Sequence, residues 1–513
     1  MPLPPKWYQF LVGVFASLGS FLFGYDLFDP FDVFKGVIAE VVQCETFISR
    51  FGNDPDEIGA VVSTFTGGGF IGAFIAGHIS DWYGRRITIS IATVIFLLGA
   101  CLQTAAQTLA YLWSGRAITG AGVGILVMIV PLYQAELAHP SIRGRITALQ
   151  QFMLGIGALL ATWAGYGTYI HLSDDGQWRI PLALQMVPAI VLGTCIFFMP
   201  ESPRWLIDKG RTEKGLAVLA QLHSNGDETD AFVRAEFEAI QMSITVEHDN
   251  EAKKWSQLIT DKLNFKRLFI AVSVQGSIQM TGVSFIQYYA PSIFKEIGIS
   301  TSTTLLLQAI NSIIALVAQF CCIMFIDRFG RRWVLILGNL VNMVAWIIVT
   351  ALVAEYGGRT DATGAHWAFI IMTWLYQFSF SFACGPLSWI IPAEIFNTAT
   401  RSKGVAIATM TSFATNTLIG QVSPIALQNV GWKYFIFFII ANFTNAIFFY
   451  CILPETSRVP LENMDQLFDS SWWVPGWSKQ HIARLRDELD ERTEEIKEKD
   501  DGVAQHAEVT KTA

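Results

Sequence analysis

Long apolar runs separated by short polar stretches dominate the chain. An α-helix needs about 20 mainly apolar residues to cross a hydrocarbon core. Runs of this kind lie at 8–28, 58–80, 87–107, 112–135, 147–169, 180–199, 267–290, 305–326, 333–353, 366–391, 403–426 and 433–453. The pattern predicts an all-α membrane protein with 12 transmembrane helices in two six-helix halves.

Two polar segments divide this pattern. Residues 201–266 predict a cytoplasmic linker of short amphipathic helices between the halves 1–200 and 267–454. Residues 455–513 predict a cytoplasmic tail, with one solvated helix and a final stretch whose composition is typical of disorder.

Composition supports the membrane prediction and excludes several functions. The chain is 52% hydrophobic and only 15% charged, whereas soluble proteins are near 25% charged. The net charge of −8 does not favour nucleic-acid binding. The cysteines show no CxxC spacing, and the chain has no phosphate-binding glycine loop, HExxH or nucleophile elbow. We therefore expect no enzyme activity, cofactor or metal site.

The distribution of Lys and Arg sets the expected orientation. Positively charged residues in short loops favour the cytoplasmic side of a membrane. The side reached after even-numbered helices is richer in them, at Arg85, Arg86, Arg143, Arg145, Arg328, Arg331, Arg332, Arg401 and Lys403. We therefore expect the linker and both termini to be cytoplasmic. As a separate expectation, this multi-pass protein resides in the plasma membrane.

Three motifs occur twice in the same order. The motif D-x-x-G-R-R begins at Asp81 and again at Asp327, and P-E-[ST] begins at Pro200 and again at Pro454. A glutamate stands seven residues before an arginine at Glu136 and again at Glu394, so the second copies lie 246 to 258 positions after the first. The nearly constant spacing indicates duplication of a six-helix unit. Parallel halves of this kind are typical of major-facilitator transporters, which bind substrate between the halves near the middle of the membrane.

The chain resembles the sugar-porter family of the major facilitator superfamily, in a form similar to fungal hexose and pentose carriers. The resemblance covers residues 10–468 and depends on F-L-F-G-Y-D (21–26), G-H-I-S-D-W-Y-G-R-R (77–86), P-E-S-P-R-W-L (200–206), D-R-F-G-R-R (327–332) and P-E-T-S-R-V-P-L-E (454–462). It implies alternating-access transport of a sugar or polyol by a protein that functions as a monomer.

The resemblance also implies a set of substrate contacts. Amides and hydroxyls suit the hydroxyl groups of a sugar, and aromatic faces suit its C–H surface. The expected contacts are Gln151, Gln279, Ser284, Phe380, Trp389 and Asn416, with Tyr288 and Tyr289 as an outer gate. Each amide can alternatively bond a neighbouring helix with no role in binding.

Several positions depart from the family pattern. Ile278, Ser284, Ala315, Ser412 and Phe413 stand where the family usually has an amide or a tryptophan. Transport of plain glucose is therefore in question. Either the substrate is a pentose, disaccharide, polyol or sugar acid, or Gln287 and Asn311 compensate.

Asp26 and Arg116 are expected to couple transport to protons. A charge at bilayer depth is costly, so it should be paired and functional. In proton-coupled relatives, protonation of the equivalent acid releases the equivalent arginine. Two alternatives stay open: a facilitative uniporter with a static ion pair, and a nutrient sensor that moves no substrate.

The charged loop residues are expected to form a conformational latch. Asp81 can meet a helix N-terminus, and the arginines can meet carboxylates on neighbouring helices. The set comprises Asp81, Arg85, Arg86, Glu136, Arg143, Glu201, Asp327, Arg331, Arg332, Glu394, Arg401 and Glu455. The alternative is that these arginines only orient the protein in the membrane.

One segment interrupts the first predicted helix. Removing residues 28–35 restores the family pattern G-Y-D-L-G-V-I. The segment is either a real outward bulge or an artefact of the gene model, such as a retained intron.

Overall fold

The computed structural model describes residues 5–27, 55–139, 142–249, 255–283, 301–356 and 363–457, and the single residues 47, 51, 285, 464, 468 and 472. These residues are mainly helical and include no β-strand. The predicted contact Ser284, the gate residues Tyr288 and Tyr289, and segment 28–35 lie outside the described residues. The charged helix predicted for the tail lies outside them as well.

The first helix group corresponds to the first six predicted spans. Its helices are α1 (Pro5–Ala16), α2 (Leu18–Leu27), α3 (Pro55–Tyr83), α4 (Arg85–Thr104), α5 (Leu109–Leu137), α6 (Arg143–His171), α7 (Gly176–Leu184) and α8 (Met186–Cys195), followed by a 3₁₀ turn at Ile196–Phe198. Single residues, Ser17 and Gln185, separate α1 from α2 and α7 from α8. Each of these pairs therefore occupies one predicted span.

Short helices follow, as the amphipathic pattern predicts. They are α9 (Pro203–Asp208), α10 (Thr212–His223), α11 (Ala231–Asp249) and α12 (Gln257–Thr260). The Ser202 hydroxyl accepts a hydrogen bond from the Trp205 N–H at 3.3 Å, and Pro203 occupies the first turn, so α9 has a standard N-terminal cap. Ile207, Leu219, Val233 and Ile240 form a small apolar core within this segment.

The second helix group contains the remaining long helices. They are α13 (Lys262–Gln279), α14 (Thr301–Phe329), α15 (Arg332–Tyr356), α16 (Thr363–Ser379), a π-helical turn (Phe380–Cys384), α17 (Gly385–Ile395), α18 (Thr398–Val430), a 3₁₀ turn (Gly431–Tyr434) and α19 (Phe435–Ile452). The prediction of one continuous helix over 267–290 is wrong at 280–282. There α13 ends and Gly282 adopts a φ of +98°, which helical backbone does not allow.

Nine stretches among the described residues are long and apolar enough to cross a membrane: Trp7–Asp26, Arg85–Thr104, Leu109–Leu137, Arg143–Gly165, Gly176–Phe198, Ile310–Phe329, Arg332–Tyr356, Gly364–Ile395 and Gly431–Ile452. The other three predicted spans are present as the helices α3, α13 and α18. Helix α18 packs against both α3 and α13, so the three helices shield one another's polar side chains from lipid.

The surface of the bundle is apolar where the long helices face outward. Val94 and Leu98 on α4 and Ile440 on α19 are more than half exposed, at 57%, 59% and 57%. An apolar outer surface of this extent fits a lipid environment. The two helix groups meet where α6 packs against α14 and where α3 packs against α18.

Candidate functional site

A central cavity lies between the two helix groups. It encloses about 740 Å³ of empty space, part of it open to solvent. Its lining comprises Phe23, Gly24, Gln151, Leu154, Gln275, Ile278, Gln279, Val283, Phe380, Gly385, Ser388, Trp389, Ser412, Phe413 and Asn416. Five side chains chosen from the sequence, those of Gln151, Gln279, Phe380, Trp389 and Asn416, therefore border one cavity.

The amides at the cavity wall hold one another in place. The Gln279 Nε2–H group donates to the Ser412 hydroxyl at 3.1 Å, and the Asn416 Nδ2–H group donates to Gln279 Oε1 at 3.1 Å. Across the cavity, the Trp389 indole N–H donates to Gln151 Oε1 at 3.2 Å. Because both ends of the Gln279 amide are bonded to α18, its orientation is fixed.

An aromatic surface accompanies these amides. The ring of Phe23, on α2, meets the rings of Trp389 and Phe413 edge-on, with centroids 6.3 and 6.0 Å away. Edge-to-face contacts of this kind are favourable. The three rings come from both helix groups and offer an apolar face next to the amides.

The sequence-based prediction missed some lining residues. Phe23, Gln275, Ser388, Ser412 and Phe413 all border the cavity. Gln275 was identifiable, since it lies one helical turn before Gln279 and therefore on the same face of α13.

No charged side chain lines this cavity within the described part of the chain. Gln287 and Asn311 were the alternative source of the missing amides; Asn311 is not among the lining residues, and Gln287 lies outside the described residues. The described residues also contain no cluster of His, Cys, Asp and Glu that would hold a metal ion. The chemistry of the cavity is thus that of neutral hydrogen bonds and aromatic faces.

Asp26 lies on α2, three residues beyond Phe23, and forms an ion pair with Arg116 on α5. Asp26 Oδ1 contacts Arg116 Nη1, and both side chains are completely buried. The Arg116 guanidinium carbon also lies 4.3 Å from the centroid of the Phe65 ring, and its Nε–H group donates to the Val61 carbonyl at 3.4 Å. Asp26 Oδ2 has no hydrogen-bond partner among the described residues. Only one carboxylate oxygen therefore holds the arginine.

The first D-x-x-G-R-R loop joins helix ends within its own group. Arg85 binds Glu136 through two hydrogen bonds of 2.8 and 2.7 Å. The Glu201 carboxylate accepts the backbone N–H groups of Arg85 and Arg86 at 3.0 and 3.2 Å, which stabilises the N-terminus of α4. Burial raises the pKa of Glu201, although these N–H groups act in the opposite direction. Gly84, with a φ of +90°, leaves the space that the Glu201 carboxylate occupies.

The second loop repeats this arrangement. Arg331 binds Glu394 at 3.0 Å and Asp327 at 3.1 Å. Glu455 accepts the N–H groups of Arg331 and Arg332 at 2.8 and 3.1 Å. Gly330 has a φ of +82°, and a Cβ atom there would lie 2.5 Å from the Glu455 carboxylate.

Three of the expected latch contacts differ from the prediction. Glu201 and Glu455, rather than Asp81, bind the helix N-termini, because the glycine turns point those N–H groups at them. Among the described residues, the guanidinium of Arg86 donates to the Met199 carbonyl at 3.2 Å, and that of Arg332 donates to the Tyr450 carbonyl. Carbonyl groups, not the expected carboxylates, therefore hold these two side chains.

Further contacts join the two helix groups at the end that carries both loops, which we call the motif end. Asp81 accepts the Ser402 hydroxyl at 2.6 Å and lies 3.7 Å from the Lys403 amine. Glu136 lies 3.7 Å from Arg401.

The other side of the motif end is joined in the same way. Asp327 accepts the Arg145 backbone N–H at 3.2 Å and lies 3.5 Å from its guanidinium. Arg143 is buried at the start of α6, beside these contacts. The two helix groups are therefore bridged at this end of the cavity.

The apolar helices, the two helix groups and the cavity between them define a multi-pass membrane protein of the major-facilitator fold. Residues 12–468 match the family model described as "Sugar (and other) transporter", and the chain belongs to this family.

Individual proteins agree with this assignment. The chain is 33% identical to the MFS-type transporter criB of Aspergillus cristatus, covering 89% of this chain and 92% of that protein. It is 30% identical to the H(+)/hexose cotransporter 2 of Parachlorella kessleri, covering 91% and 88%. The solved structure of the proton:xylose symporter XylE bound to 6-bromo-6-deoxy-D-glucose is 25% identical, with a TM-score of 0.78, covering 91% of this chain and 100% of that one.

Proposed function

We propose that this protein carries a neutral sugar or polyol across the membrane together with a proton. The observation that carries the proposal is a cavity of amides and aromatic rings beside a buried Asp26–Arg116 ion pair. The family is one of transporters, and two similar proteins are named as a proton–hexose cotransporter and a proton:xylose symporter.

The lining favours a neutral substrate. Gln151, Gln279 and Asn416 offer donors and acceptors, and Trp389 with Phe23 offers ring faces for the C–H surface of a sugar. A sugar acid needs a cation at the wall, and no lining residue in the described part of the chain supplies one. Of the substrate classes left open by the sequence, pentoses, hexoses, disaccharides and polyols remain.

Proton coupling follows from the single contact between Asp26 and Arg116. Protonation neutralises the carboxylate, weakens its hold on Arg116 and thereby loosens α2 from α5. A charge that crosses a membrane potential of 100 mV gains about 2.3 kcal/mol, equivalent to about fifty-fold accumulation of substrate. If the protein is instead a uniporter, its transport rate stays unchanged when the proton gradient collapses.

Alternating access then uses the motif end as one of two gates. In the proposed organisation, residues 1–200 and 267–454 are two six-helix halves, 201–266 a linker and 455–513 a tail. The motif end faces the cytoplasm, with both termini, in the plasma membrane, and one chain suffices for transport. Opening toward the cytoplasm breaks the contacts Asp81–Ser402, Glu136–Arg401 and Asp327–Arg145, while Tyr288 and Tyr289 close the opposite side with Ser284 beside the sugar.

The proposal is tested by uptake of labelled sugars and polyols into yeast that lacks its own sugar carriers. The panel is measured at an acidic and a neutral external pH, with and without a protonophore. Accumulation above the external concentration that disappears with the protonophore supports symport. Uptake that only equilibrates identifies a uniporter, and uptake of no panel member by a protein that reaches the membrane favours the sensor.

A further inference from the structure

The wall of the cavity includes a break in a helix. α13 ends at Gln279, and Gly282 adopts a φ of +98° three residues later. Ile278, Gln279 and Val283, on both sides of this break, all line the cavity. The backbone at 280–282 therefore determines where part of the wall lies.

Four buried side chains from other helices hold this break, and we call them the bracket: Trp346, Tyr376, Asn442 and Asn445. The Thr281 carbonyl accepts the Trp346 indole N–H at 2.8 Å and the Asn442 Nδ2–H at 3.0 Å. The Thr281 hydroxyl lies 3.0 Å from the Tyr376 hydroxyl. The Asn445 Nδ2–H donates to the Ser277 carbonyl at 3.0 Å.

The bracket compensates for lost helical hydrogen bonds. A helix end leaves carbonyl groups without partners in the chain, and an unsatisfied buried carbonyl is costly. Trp346 and Asn442 supply donors from α15 and α19 and are 2% and 0% exposed. The Trp346 ring also packs so closely on Gly282 that a Cβ atom there would lie 2.5 Å from it. The break is thus held in one place.

Trp346 and Asn442 do not line the cavity, yet they fix the residues that do. The side chain of Gln279 is oriented by Ser412 and Asn416, whereas its main chain is placed by the break. We propose that Trp346 and Asn442 are positioning residues for substrate recognition, which act through the Thr281 carbonyl on the Gln279 amide. This inference rests on the proposed function of the cavity.

The first test compares Trp346→Phe, which keeps an aromatic ring but removes the N–H donor, with Trp333→Phe on the same helix, whose ring is 44% exposed. We expect Trp346→Phe to raise the KM for uptake about threefold to twentyfold, the range spanned by one hydrogen bond within a membrane protein. The maximal rate should change by less than about twofold, and Trp333→Phe should leave both values unchanged. Asn442→Leu should act as Trp346→Phe does.

A double-mutant cycle separates positioning from general stability. If Trp346 acts through Gln279, Trp346→Phe has no further effect on KM in a Gln279→Ala background. If the fold-changes in KM of the two single variants multiply in the double variant, the two residues act independently and the proposal is overturned.

Hydrogen exchange provides a measurement that does not need a transported sugar. In purified full-length protein, we expect faster amide exchange over 279–283 in Trp346→Phe and unchanged exchange in Trp333→Phe. If the wild-type protein moves no panel sugar, the proposed function fails. The bracket is then judged by exchange alone, and equal rates in both variants overturn it.

Discussion

In each helix group, a residue at the end of the first span contacts the fourth span, but the contact is an ion pair in one group and a neutral hydrogen bond in the other. In the first group, Asp26 near the end of α2 forms an ion pair with Arg116 on α5. In the second group, Thr281 just beyond α13 forms a hydrogen bond with Tyr376 on α16. Thr281 follows Asp26 by 255 positions and Tyr376 follows Arg116 by 260, close to the spacing of the duplicated motifs. Both contacts therefore join the first span of a helix group to its fourth span.

Under the proposed coupling through Asp26, this difference would let only the first helix group respond to protons. Protonation removes the charge of the Asp26 carboxylate, whereas the Thr281–Tyr376 contact has no charge to lose. The arginine–glutamate contacts at the motif end, in contrast, are alike in both groups: Arg85 binds Glu136, and Arg331 binds Glu394. The arginine–glutamate contacts within each group are therefore alike, whereas the contacts between the first and fourth spans differ.

Glu136→Gln is the strongest test of the similarity between the Arg85–Glu136 and Arg331–Glu394 contacts. This change leaves two buried cations, Arg85 and Arg401, without their shared carboxylate, and removing one partner of a buried ion pair costs about 3–5 kcal/mol. In Glu394→Gln, Arg331 keeps Asp327 at 3.1 Å, so we expect a smaller loss. The melting temperatures of the two purified variants measure the difference. Equal decreases would contradict the special role of Glu136 between the groups.

The charged side of the comparison is tested by Asp26→Asn. The amide cannot exchange a proton, so we expect accumulation to fall from as much as about fifty-fold at 100 mV to about the external concentration. Equilibrative uptake should persist. The measurement is the ratio of internal to external concentration of a non-metabolised substrate, with and without protonophore.

A matched control for this change is Asp175→Asn. Asp175 pairs with Arg179 at 3.3 Å, and both side chains are well exposed. This variant should keep full accumulation. Accumulation that survives Asp26→Asn would show that the proton moves elsewhere.

The neutral side of the comparison is tested by Tyr376→Phe. The change removes one hydroxyl and its contact with Thr281, which in a membrane protein is worth about 0.6 kcal/mol on average. We expect a change of about threefold in KM, with accumulation still driven by the proton gradient. If accumulation in this variant no longer depends on the proton gradient, both the Asp26–Arg116 and the Thr281–Tyr376 contacts take part in proton coupling.

The smallest effect is expected at Lys403. Its amine lies 3.7 Å from Asp81, a contact that is buried on the Lys403 side and open to solvent on the Asp81 side, at 10% and 30% exposure. Pairs open to solvent contribute about 0.2–1 kcal/mol. Lys403→Ala should therefore change the transport rate by less than about fivefold, and less still in high salt, which screens exposed charges. Ser402→Ala, which removes the 2.6 Å hydrogen bond to Asp81, should be insensitive to salt. Equal salt dependence in both variants would contradict this assignment.

The helix positions and five of the residues that line the cavity were predictable from the sequence. Each span has a continuous apolar run, and the resemblance to the sugar-porter family implied the cavity residues Gln151, Gln279 and Asn416. The break after Gln279 was not predictable, because the apolar run continues through it and Gly282 alone does not require a helix to end. The bracket that stabilises the break comes from three other helices.

By itself, the sequence determined the fold class, the duplication and the location of charge, because hydropathy and motif spacing are local properties of the chain. Tertiary structure decided the partners. Asp81 meets Ser402 across 321 positions, and Thr281 meets Tyr376 across 95. Which side chains meet over such separations depends on how long helices pack, and neither periodicity nor composition specifies that packing.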